Sequence, residues 1–209
     1  MEIAFLLFDG ITPLDAIGPF EVLGKLPGAE VKMVGKSKGE YRTKGQSLAM
    51  IADYALADVA NPDIVVIPGG PGADATAQDT VVTDWLAKAH ETTAWTTSVC
   101  TGALILGGAG VLKGLKATTH WRAMADLESF GATPTDQRVV REGKVVTAAG
   151  VSSGIDMALT LAAEIAGEDV AKAIQLGIEY APEPPFNAGH IGNAPEDRIE
   201  MVRSGLSRP

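Results

Sequence analysis

The chain has 209 residues, of which 46% are hydrophobic, 21% charged and 5% aromatic, a balance that fits a globular core of Ala, Val, Leu and Ile and a length compatible with one domain. A formal charge of −9 argues against a general phosphate-backbone binder, which needs clustered Lys and Arg, so nucleic acid is not an expected partner. One cysteine forms no internal disulfide, so the thiol count asks for no oxidising compartment, and a cytoplasmic location is the expectation.

In chain order, Ile3 to Phe8 reads as a first buried strand. It carries no basic leader, runs into Asp9-Gly10, and is too short for a signal peptide or a membrane span. A helical pattern follows over Pro19 to Leu26, with Asp15 set among apolar neighbours just before it. Position alone makes Asp15 a cap of that helix or of a turn. Beside a buried thiol, the same carboxyl would have its pKa raised by desolvation and would shuttle a proton near neutral pH. Val31 to Val34 and Ile64 to Ile67 are short, almost wholly apolar runs, as expected of parallel strands covered on both faces.

Ile64 to Ile67 ends in Pro68-Gly69-Gly70-Pro71-Gly72. Ligands of open α/β sheets bind at the carboxyl ends of strands, and glycine amides approach an anion closely. Gly69 and Gly70 are therefore candidate oxyanion donors, a plain loop turn being the alternative. After a helical pattern over Val81 to His90, the β-branched run Thr93 to Val99 reaches Cys100 and passes through Thr101-Gly102 into a helix around Ala103 to Gly108. This is the sulfur counterpart of a nucleophile elbow. A thiol there lies at a helix N-terminus, where dipole and free N–H groups favour the thiolate. Taken alone, Cys100 is equally open to being a small buried hydrophobe.

Lys116 to Thr119 reads as a strand and Arg122 to Phe130 as a helix. Arg138 to Arg141 and Lys144 to Thr147 read as strands joined by a tight turn at Glu142-Gly143, which makes the sheet mixed. Helices are expected over Ser153 to Ala166 and Asp169 to Tyr180, then an extended loop at 181–189, too rich in proline for helix or strand. The longest apolar helix contains Asp156 and Glu164, which suits a core rather than a bilayer. Alternating strands and helices define an α/β sandwich.

The segments Asp15-Ala16-Ile17-Gly18-Pro19, Ile67-Pro68-Gly69-Gly70, Ser98-Val99-Cys100-Thr101-Gly102 and Ala117-Thr118-Thr119-His120-Trp121, in this order, resemble the ThiJ/PfpI superfamily and within it the isocyanide hydratases. The likeness continues through 138–141, 154–164 and 179–189, and so spans nearly the whole chain. It implies a flavodoxin-like, class I glutamine amidotransferase-like sandwich: a mostly parallel sheet with helices on both faces. It also implies one domain over 1–209 with a Pro-rich segment at 181–209, a homodimer, no metal or organic cofactor, and a small isocyanide as substrate. By position, Cys100 matches the family nucleophile, Asp15 its acidic partner, Thr101 the residue after the elbow, and Gly69 and Gly70 the amide donors.

Superfamily proteases and glyoxalases tend to carry a histidine directly after the nucleophile, where this chain has Thr101. His90 is expected at the surface of its helix, His190 in the C-terminal loop, and His120 as a structural residue outside the catalytic set. Three scattered histidines and one cysteine argue against a zinc site. Ile17, Trp121, Val151 and Phe186 are candidate pocket walls by their closeness to the motif segments. Two rivals remain: another cysteine-dependent enzyme of the same fold, glyoxalase or amidase-like, and a stand-alone redox or ligand sensor. Fusion to a DNA-binding module is not expected with about 20 residues after the Pro-rich loop.

Overall fold

The computed structural model of the protein describes residues 1–45 and 47–205. The first strand, β1 (Glu2–Leu7), lies inside the main sheet, and its side chains from Ile3 onward are all buried. The chain then forms helix α1 (Pro13–Leu23), strand β2 (Glu30–Gly35), an antiparallel hairpin of β3 (Gly39–Arg42) and β4 (Ala49–Ala52), and the short β5 (Tyr54–Ala55). Strand β6 (Ile64–Ile67), helices α2 (Ala73–Ala77) and α3 (Thr80–Thr92), strand β7 (Trp95–Val99) and helix α4 (Gly102–Gly108) follow. Short strands β8 (Lys116–Ala117) and β9 (Thr133–Pro134) pair apart from the main sheet; the hairpin β10 (Val139–Glu142) and β11 (Val145–Ala148) rejoins it.

Seven strands form the main sheet in the order β10-β11-β7-β6-β1-β2-β5. Every pairing in it is parallel except β10 with β11, so the sheet is mixed, as the Glu142-Gly143 turn requires. Strand β6 is apolar along its whole length because both faces are covered, while β7 and β11 bury threonines and Ser98 as well. Helices α1, α5 (Ser153–Ala166) and α6 (Glu168–Gly177) pack together on one face, and α2, α3 and α4 on the other. No helix among the described residues is long and apolar enough to cross a membrane.

The chain divides into two compact units, Met1–Ile178 and Glu179–Pro209. The second begins close to the Pro-rich segment, whose residues 181–189 have no regular structure, and carries helix α7 (Glu196–Arg203).

Several elements differ from their sequence expectation. Helix α1 starts at Pro13, not Pro19: a proline at the first position loses no helical bond, and Pro19 is accommodated inside the helix. Arg122 to Phe130 is two 3-10 turns, Trp121–Ala123 and Ala125–Phe130, rather than an α-helix. The strand at Lys116 stops after Ala117: the Thr118 N–H donates to the Thr147 hydroxyl instead of to a ladder carbonyl, and the Thr119 hydroxyl donates to the Cys100 carbonyl. The pairs β3 and β4, the short β5, and helices α2 and α7 lack a strong periodic signal and were not anticipated.

Candidate active site

Strands β1, β6 and β7 are adjacent and parallel, so the loops that leave their carboxyl ends meet. Those loops carry Asp15 at the first turn of α1, Gly69 and Gly70 after β6, and Cys100 after β7. The residues from three distant stretches of sequence thus converge on one edge of the sheet.

Cys100 has φ +57°, a left-handed conformation that costs a non-glycine residue about 1–3 kcal/mol. The surroundings hold it there. Its N–H is shared between the carbonyls of Ala148 and Ala149 at 3.1 and 2.8 Å, and its carbonyl accepts from the Thr119 hydroxyl at 2.7 Å and the Ala103 N–H at 3.3 Å. The backbone N–H groups of Thr101 and Val151 lie close enough to the sulfur to favour its ionised form, and the Asp15 carboxyl beside it opposes ionisation. Val151, which the sequence offers only as a pocket wall, lies in the turn just before α5.

Asp15 is fully buried and does not cap α1. Its Oδ2 accepts the Gly69 N–H at 2.9 Å, while its Oδ1 has no nitrogen or oxygen partner. Burial pushes this carboxyl up from 3.8 to about 7, against the Gly69 and Cys100 hydrogen bonds that hold it down. Cys100 is 5% exposed, and burial, followed by the neighbouring Asp15 charge, pushes the thiol up to about 12. The expectation of a partly ionised sulfur is therefore corrected. The Thr101 and Val151 amides favour the thiolate, but desolvation and the carboxylate outweigh them. Burial pushes both groups toward their protonated forms, so the pair is a thiol beside a carboxyl rather than a thiolate.

The Gly69 and Gly70 amides also differ from the open donors expected. Gly69 N–H is committed to Asp15, and Gly70 N–H to the Thr101 hydroxyl at 2.8 Å, which itself donates to the Gly70 carbonyl at 3.2 Å. Their work here is to fix the two side chains flanking the sulfur. Gly69 tolerates no side chain, since a Cβ there would stand 2.5 Å from the Thr101 nitrogen.

His120 sits half-buried at the start of a 3-10 turn, its Nδ1 accepting the Arg122 N–H at 3.3 Å and its ring 5.6 Å from that of Trp121. Burial and then the Arg122 charge hold its pKa below the usual range, which favours the neutral ring. His90 is not a free surface residue: it is half-buried, with Nδ1 at 2.8 Å from the Thr96 hydroxyl. Ile17 is exposed beside Asp15, whereas Phe186 and His190 belong to the second unit.

The fold and site define an α/β protein with a cysteine on a strained strand-to-helix turn and a buried carboxyl beside it. The model of the DJ-1/PfpI family matches residues 1–164, and the chain belongs to that family. An isonitrile hydratase of Pseudomonas putida is 39% identical over 203 residues, 97% of this chain and 89% of the relative. A crystal structure of a ThiJ/PfpI family protein from Pseudomonas syringae superposes with a TM-score of 0.93 at 38% identity, covering 98% of this chain and 86% of that one. The structure of DJ-1beta from Drosophila melanogaster, at 24% identity and a TM-score of 0.78 over 87% of this chain and 98% of that one, shares the fold.

Proposed function

We propose that this protein is an isocyanide hydratase, adding water to an isocyanide to give an N-formamide through a Cys100 thioimidate. The observation that carries the reading is the buried Cys100–Asp15 couple, a cysteine held at φ +57° beside a fully buried carboxyl that is fixed by the Gly69 N–H. The similarity to a protein named isonitrile hydratase supports the same choice of electrophile.

A thiol near 12 is a poor nucleophile until its proton is removed, and Asp15 ionised near neutrality is the adjacent base. As sulfur attacks the terminal isocyanide carbon, the thiol proton passes to Asp15 and the C–S bond forms. The lone pair left on that carbon takes the same proton back from Asp15, giving a neutral thioimidate. Asp15 is then a carboxylate again, and its unpartnered Oδ1 is free to accept a hydrogen bond from water.

Water attacks the thioimidate carbon, one of its protons passing through Asp15 to nitrogen. The tetrahedral adduct collapses with cleavage of C–S, the hydroxyl proton returns to sulfur through Asp15, and the N-formamide leaves. One water is consumed and no electrons are exchanged. The Thr101 and Val151 amides, which face the sulfur, stabilise the charge it carries as it attacks and departs. Thr101, in place of an adjacent histidine, braces the Gly70 loop and leaves Asp15 as the proton carrier.

Mixing the purified protein with an alkyl or aryl isocyanide and following formamide by absorbance tests the reading. Turnover lost in Cys100→Ala with the fold retained is the expected result. No turnover in the parent, with rapid loss of glyoxal instead, would reassign the site to a glyoxalase.

A further inference from the structure

We infer that Thr119 is a positioning residue for the nucleophile, setting the peptide plane between Cys100 and Thr101 so that the Thr101 N–H faces the sulfur. The carbonyl of Cys100 and the N–H of Thr101 belong to one planar trans peptide and point in opposite directions. Whatever fixes the carbonyl fixes the amide. The Thr119 hydroxyl donates to that carbonyl at 2.7 Å, the shortest bond the elbow makes, with Thr119 1% exposed and so shielded from competing water. The second bond to the carbonyl, from Ala103 N–H, is longer, at 3.3 Å.

The donor is itself anchored. The N–H of the preceding residue, Thr118, donates to the Thr147 hydroxyl on β11 at 2.9 Å, and β11 pairs with β7, the strand that delivers Cys100. A closed path thus runs from the sheet through Thr147 and Thr118 to Thr119 and back to the elbow. Cys100 sits at φ +57°. A residue held in that region relaxes by rotating the adjoining peptide, and the Thr119 hydroxyl opposes this rotation. Without it, the Thr101 amide swings off the sulfur, and Cys100 loses one of the two backbone donors that favour its ionised form.

The effect on turnover rests on the hydratase reading, but the effect on the thiol does not, so the test reads both. Thr119→Val removes the donor at nearly constant shape, Thr119→Ala removes it with space to spare, and Thr119→Ser keeps it. The probe is iodoacetamide, whose second-order rate with Cys100 at a fixed pH follows the thiolate fraction. We expect Val and Ala to slow alkylation about 10-fold, the effect of losing one donor to a charged acceptor, and Ser to restore it to within about threefold of the parent. With isocyanide, kcat falls in the same order while KM is retained.

A folded variant without the hydroxyl that alkylates at the parent rate would overturn the assignment. So would a Ser variant as slow as Val. If the parent does not hydrate isocyanides, the hydratase reading fails while the alkylation order still decides the role of Thr119.

Discussion

At the scale of single residues, burial makes Asp15 chemically useful and thermodynamically expensive. A carboxyl raised from 3.8 to about 7 binds its proton more tightly in the folded chain than in the unfolded one. Stability from this group is therefore fully present below about pH 4 and is lost as pH rises to 7, a loss on the order of 4 kcal/mol. Asn at this position keeps an acceptor for the Gly69 N–H and has no such titration. Denaturant unfolding of Asp15→Asn and the parent should give a stability difference in favour of the variant that grows from pH 4 to 7 and then levels; a constant difference would deny the raised pKa. Position alone made Asp15 a helix cap and left Cys100 open to being a buried hydrophobe; the family resemblance named the two together, and the structure brings them side by side in the interior. The ionisation state of the sulfur was not legible, because helix-terminus reasoning includes the dipole but omits the desolvation and the carboxylate that exceed it.

At the scale of elements, the glycine turns are fitted more tightly than loop chemistry alone requires. A Cβ at Gly102, the first residue of α4, would stand 2.0 Å from the Ile67 carbonyl oxygen and 2.7 Å from that of Pro68. Both are backbone atoms at the end of β6, so the helix has nowhere to shift without carrying the elbow with it. Gly102→Ala should cost about 3 kcal/mol or more in unfolding free energy, with loss of turnover; a variant as stable and active as the parent would show that α4 docks less closely than described. The strands β1, β6, β7 and β11 were legible because each is a short run of apolar or β-branched residues bounded by turn signals, which favours strand over helix. The 118–120 segment was not: the hydroxyls of Thr119 and Thr147 take up backbone groups there, and no periodic pattern announces that.

At the scale of the whole molecule, the mostly parallel order of the sheet brings Asp15, the Gly69-Gly70 turn and Cys100 to one edge although they are scattered over the first half of the chain. Short contiguous motifs were visible in sequence; their convergence follows from strand order, which no single motif carries. The central claim is that the carboxyl on α1 moves the protons for the sulfur on the β7 turn during isocyanide hydration. The most direct test is kcat/KM for formamide formation against pH in the parent and in Asp15→Asn. The account predicts a parent rate that rises through about pH 7 as Asp15 ionises, and a variant slowed about 100-fold or more with that rise absent. A variant that keeps the parent rate, or shows the same rise near neutrality, would contradict it.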